Sequence, residues 1–160
     1  MFVKAVIGLL LCIWVNNSPI SVEKVREDYK TASKSKENAQ KFYNLLHEVP
    51  DNGSLLAGYA GAARMMHARY EKNRATLLKE GKKYIENAVK SNENSVEIRF
   101  IRLSVQENLP KIVPYRQNIE EDKQFLLENL KKEPYELQNY IKNYIKSSKI
   151  FTEEEKNQLL

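Results

Sequence analysis

The sequence predicts an all-α domain, a right-handed stack of antiparallel helical hairpins with about six to seven helices. Three observations carry that expectation. Apolar residues recur at spacings of three and four from Val22 to Ile145, with no alternating apolar–polar stretch that would suit a strand. Only five Gly and five Pro interrupt 160 residues. Two segments, Ser54–Tyr70 and Asn94–Asn108, are apolar on two opposite sides, as a helix held between two neighbours requires.

The elements follow in order. Ser21 suits the cap of a helix whose face is Val22, Val25, Tyr29 and Ala32. The pattern weakens at Ser33–Lys36 and resumes at Ala39, Phe42, Tyr43, Leu46 and Val49. This is either one long helix with a weak middle or two helices meeting near Ser35. Pro50-Asp51-Asn52-Gly53 is a turn. Ser54 caps the next helix. One of its sides carries Ala57, Gly58, Gly61, Met65 and Ala68, and the other Leu56, Tyr59, Ala63, Met66 and Tyr70. Each glycine costs about 1 kcal/mol of helix stability relative to Ala. Close approach of a neighbouring backbone offsets such a loss.

A loop at Glu71–Ala75 leads to a helix packed on one broad stripe: Leu77, Leu78, Gly81, Tyr84, Ile85, Ala88 and Val89. After the polar turn Ser91–Ser95, the second two-sided helix carries Val96, Phe100 and Leu103 on one face and Ile98, Ile101, Val105 and Leu109 on the other. Arg99, Arg102 and Gln106 line one edge between these faces, and Glu97 and Ser104 the other. Pro110 and Pro114 prevent regular helix through Lys111–Val113, so Asn108–Asn118 is the longest loop. Asn118 is placed to cap a helix whose first turn holds Glu120, Glu121 and Asp122, a charge bias suited to a helix N-terminus. Pro134 opens a further helix bearing Leu137, Tyr140, Ile141, Tyr144 and Ile145, and Thr152–Glu155 is a capping box for a short last one.

Lys4 precedes the unbroken apolar run Ala5–Val15. At about 1.5 Å per residue this run falls short of a hydrocarbon core of about 30 Å. Residues 1–20 therefore read as a secretory signal peptide, with an uncleaved anchor and a buried element of the domain as the alternatives. Residues 21–160 then form a single all-helical domain, exported to the periplasm or beyond and without a stable membrane span. Cys12 is the single cysteine. Acylation there after cleavage is the lesser reading, because Leu11 before it is large. Loss of Cys12 on export leaves no disulfide, thiol nucleophile or thiolate ligand in the mature chain.

Second helices begin near Ser54, Ser95 and Pro134, about 40 residues apart, within the range of helical-hairpin arrays. The segment Tyr84–Leu103 resembles a junction between tetratricopeptide-type repeats. Ala88 stands for the small residue of the outgoing helix, Tyr84 for the aromatic one turn earlier, and Glu93-Asn94-Ser95 for the usual Pro-x-x turn. Glu93 departs from the Pro of that pattern, and no Trp, Leu and Gly set opens the following helix. The resemblance implies a tetratricopeptide-like superhelix. The run Gly81–Asp122 also resembles small uncharacterised exported bacterial proteins carrying GKKxIExAVKxNPxNxEIRFxRLxVQENxP and NIEEDK stretches. That likeness implies export and brings no activity.

No catalytic motif emerges. His47 and His67 are the only histidines, on different helices and without metal-ligand spacing, and no phosphate-binding or nucleophile signature occurs. No metal or cofactor is expected. A net charge of +5 arises from 26 basic and 21 acidic residues that are interleaved, which suits a solvated surface better than a nucleic-acid footprint. The expected site is a helix edge: Arg64 and His67 on one two-sided helix, and Arg99, Arg102 and Gln106 on the other, merging if those helices are neighbours. Arg99 and Arg102 suit a second role equally, anchoring the Asn108–Asn118 loop. The expected function is a non-enzymatic helical-repeat interaction module that binds a protein or peptide partner. The alternative is a binder of an anionic ligand, nucleic acid or anionic lipid, through the same edge.

Overall fold

A computed structural model describes residues 19–159. Of residues 1–20, expected to be a signal peptide, those up to residue 18, Cys12 among them, lie outside the described residues. Eight α-helices follow one another: α1 (Val22–Ala32), α2 (Lys36–Leu46), α3 (Leu55–His67), α4 (Arg74–Ser91), α5 (Val96–Asn108), α6 (Ile119–Asn129), α7 (Tyr135–Ser147) and α8 (Glu153–Leu159). Short 3-10 turns extend α3 at Ala68–Tyr70 and α6 at Leu130–Lys132. Among the described residues eight α-helices stand where six to seven were expected for the domain. The Ser33–Ser35 region is a true break, since Ser33 ends α1 and the Ser35 hydroxyl accepts from the Asn38 N–H to start α2. Among the described residues no helix is long and apolar enough to cross a membrane.

Local chemistry sets the boundaries. Ser21, Ser35, Ser54 and Ser95 each accept a backbone N–H three residues on, satisfying one of the orphan donors at a helix start. Thr152 and Glu155 form a reciprocal capping box at 2.8 and 3.1 Å. Asn118 precedes α6, but its side chain makes no cap bond and turns to Gln106 and Glu121 instead. Gly53 holds a φ of +73° in the turn before α3, with Ser91 packed where a side chain would point.

The odd-numbered helices contact one another in the sequence α1–α3–α5–α7, and the even-numbered ones pack on them. α2 lies on α1 and α3, α4 on α3 and α5, α6 on α5, and α8 on α6 and α7. The C-terminal halves of all four odd helices meet at one end, so these helices run in the same direction. The tightest junction is α3 against α4. A Cβ on Gly61 would lie 2.7 Å from the Gly81 carbonyl oxygen, and a Cβ on Gly81 would lie 2.7 Å from that of Gly61. Two missing side chains let the backbones touch there. Gly58, by contrast, has ordinary room, 3.5 Å from the Ala88 methyl.

Burial of α3 and α5 goes further than a two-sided pattern implies. Glu97, Arg102, Ser104 and Gln106 are buried along with the apolar faces of α5. Its polar edges are covered as well, each by side chains that satisfy it.

Candidate functional site

The predicted edge residues divide between two separate grooves. Arg64 sits between α2, α3 and α4. It donates to the Ala60 carbonyl at 3.0 Å and the His47 carbonyl at 2.9 Å, and its guanidinium lies 4.1 Å from the centre of the Tyr84 ring. His67 stacks on Tyr43 at 4.5 Å, with Nε2 3.4 Å from a Glu71 carboxylate oxygen. Its buried Nδ1 has no partner among the described residues. Arg99, Arg102 and Gln106 lie on the other side, facing α4 and α6. The two sets do not merge, although α3 and α5 are neighbours.

On the second edge the charge is neutralised within the fold. Arg102 donates through Nε and Nη2 to both oxygens of Asp122, each at 2.7 Å, and through Nη1 to Glu86 at 3.1 Å. Burial would lower the Arg102 pKa, but the hydrogen bonds and charge of Asp122 outweigh it and hold the group above the ordinary arginine range. Arg99 pairs with Asp122 at 3.0 Å and with Glu121. Hydrogen bonding from Arg99 holds the Glu121 carboxyl below its usual range. Gln106 accepts from the Asn118 N–H at 3.1 Å and donates to its side chain at 3.2 Å. Glu121 and Asp122 thus do more than bias a helix N-terminus, and Asp122 is fully buried. The Asn108–Asn118 loop is held by Arg116, which the sequence reading passed over. It donates to the carbonyls of Gln106, Glu107 and Leu109 and so caps the end of α5.

A concave feature lined by apolar groups lies elsewhere. A cleft of about 370 Å³ opens between the C-terminal halves of the four odd helices. α1 contributes Tyr29 and Lys30, with Ser33 and Lys34 beyond its end. α3 contributes Met65 and Met66, with Arg69 in the turn after it. α5 contributes Phe100, Ser104, Val105, Asn108 and Leu109, and α7 contributes Tyr140, Asn143, Tyr144 and Ser147. Phe100 stands edge-on to Tyr140 and Tyr144, with centroids 5.4 and 5.1 Å away, and Tyr29 is edge-on to Phe100 at 6.2 Å. Among the described residues no carboxylate lines the cleft, and its three ionisable cations are all exposed.

Buried polar groups from all four odd helices adjoin this cleft through Tyr29 and Tyr140. Glu97 accepts from Arg26 Nε and Nη2 at 2.7 and 2.6 Å and from the Tyr59 hydroxyl at 2.7 Å. The Tyr140 hydroxyl lies 3.2 Å from that of Tyr59, and the Tyr29 and Ser104 hydroxyls are 2.6 Å apart. The network fixes the spacing of the four helices that wall the cleft. Burial pushes Tyr29, Tyr59 and Tyr140 above the usual phenol range, which favours neutral donors there.

Among the described residues no group of three His, Cys, Asp or Glu side chains is placed to hold a metal ion. No family model matches the chain, and comparison with curated proteins and with solved structures finds no match. The apolar cleft residues were visible in the sequence only as helix faces, and Ser104 only as part of a polar edge. The signal that distinguishes them is the second apolar side of α3 and α5, which requires another partner beyond the even helices.

Proposed function

We propose that this chain is a non-enzymatic interaction module of tetratricopeptide-like build, exported from the cell, that holds a peptide segment of a partner protein in the cleft between α1, α3, α5 and α7. The observation that carries the reading is the make-up of the cleft, to which each of the four co-directional helices contributes a wall. A concave site assembled from successive helices suits an extended segment laid across them. Met65 and Met66 add side chains that adapt to irregular contacts. The polar atoms of the lining are hydroxyls, amides and cations, which suits binding and supplies no paired acid and base for catalysis.

The test is a direct binding titration of the full chain against a display of end-blocked peptides, repeated with Asn143→Trp. Asn143 is exposed at the rim, so the indole fills the cleft without disturbing the core. The reading expects a subset of peptides to bind and Asn143→Trp to abolish that binding while leaving the urea midpoint unchanged. Binding that survives Asn143→Trp places the peptide elsewhere and overturns it.

A further inference from the structure

We infer that the segment held in the cleft is acidic and aromatic: a bulky ring inserted between Phe100, Tyr140 and Tyr144, with carboxylates on either side of it meeting Lys30, Lys34 and Arg69. This rests on the peptide-binding reading and names its ligand class.

The volume sets the first constraint. A cavity of about 150 Å³ accommodates benzene, so about 370 Å³ takes one aromatic side chain together with the atoms flanking it. The rings already present meet edge to face, and an added ring continues that arrangement with its edge toward a neighbouring π-face. The Met65 and Met66 thioethers favour aromatic contact over aliphatic contact.

Charge sets the second. Four helix C-termini converge on the cleft, and each brings a partial charge of about −0.5. Lys30, Lys34 and Arg69 line the cleft with no carboxylate among its described lining residues, and Arg69 and Arg116 donate to the carbonyls that end α5, which offsets part of that helix-end charge. Lys30 has Glu27 as its partner on the outer side of α1. Arg69 spends one N–H on the Asn108 carbonyl at 2.8 Å. Lys34 has no ion-pair partner among the described residues. Glu107, at the same end of α5, is turned into the α7–α8 connection. There it accepts from the hydroxyls of Tyr144 and Ser148 and from the Lys149 N–H. The rim thus presents donors to an anion, and the floor presents rings to an aromatic group.

The experiment uses fluorescence anisotropy with the full chain and four probes. The first is an end-blocked peptide with a central phenylalanine and two aspartates on each side. The second replaces the phenylalanine with alanine, the third replaces the aspartates with lysines, and the fourth is dodecanoate, offered as a competitor. The inference expects the first peptide to bind. It expects the second and third each to bind at least about tenfold more weakly. It also expects Lys34→Glu and Arg69→Glu each to weaken the first by about three- to tenfold and to flatten its salt dependence. Equal or tighter binding of the lysine peptide overturns the acidic assignment and leaves the peptide-binding reading standing. Equal binding of the alanine peptide overturns the aromatic assignment in the same way. Binding of dodecanoate with no binding of any peptide overturns both this inference and the reading beneath it.

Discussion

Arg102 and Asp122 form a two-point ion pair between α5 and α6, with both contacts at 2.7 Å and the carboxylate fully buried. Asp122→Ala leaves a guanidinium that is 3% exposed without its main partner. That change is expected to cost about 3–5 kcal/mol in urea denaturation. Arg102→Met with Asp122→Leu removes both charges together and is expected to cost much less. A double mutant as unstable as Asp122→Ala alone refutes the pair as the source of the loss.

Gly61 and Gly58 lie three residues apart on α3 and are expected to respond oppositely to the same change. Gly61→Ala drives a methyl into the Gly81 carbonyl, with 2.7 Å available, and is expected to destabilise by about 1–3 kcal/mol. Gly58→Ala meets Ala88 and Ile101 at ordinary contact distances and is expected to gain up to about 1 kcal/mol from helix propensity. Thermal midpoints of the two variants read the difference, and a loss at Gly58 equal to that at Gly61 contradicts it.

Glu97 is the common acceptor of Arg26 and Tyr59, so the two ways of weakening the network are ranked. Tyr59→Phe removes one donor and leaves the carboxylate on Arg26, for about 1 kcal/mol. Glu97→Ala strands a part-buried guanidinium and a buried phenol together, and about 3 kcal/mol or more is expected. Equilibrium denaturation of both variants tests the order, and Tyr59→Phe as the costlier change reverses it.

Alkaline pH is expected to unfold the domain cooperatively. Burial raises the phenols of Tyr29, Tyr59, Tyr115, Tyr140 and Tyr144 above their ordinary value of about 10. A raised acid stays neutral in the fold while the unfolded chain ionises. The stability it contributes is therefore present below about pH 10 and lost as pH rises above it. Each such group removes up to about 1.4 kcal/mol per pH unit, so five acting together exceed a typical folding margin within about two units. Tyrosinate absorbance and helical circular dichroism followed together check this. Ionisation of these five below the unfolding transition contradicts it.

The positions of the helices and most of their ends were legible in the sequence because they rest on local chemistry. Serine hydroxyls at Ser21, Ser35, Ser54 and Ser95 act within three residues, as does the Thr152–Glu155 box. Apolar spacing likewise showed that α3 and α5 are central, since a face repeats every turn whatever covers it.

Only the tertiary structure decided what the polar edges of those helices meet. Arg26 reaches Glu97 from 71 residues away, and Asp122 reaches Arg102 from another helix. Such a pairing leaves no periodic trace in the chain, so the sequence left open whether the Arg99–Arg102 edge was free or engaged, and its donors are engaged with Glu86, Glu121 and Asp122. The cleft is hidden for the same reason. Its walls run from Tyr29 to Ser147, and each wall alone is an ordinary helix face. Sequence alone determined that this chain makes amphipathic and two-sided helices. The convergence of four helix ends, held by the Glu97 network, decided that one of those faces stays open.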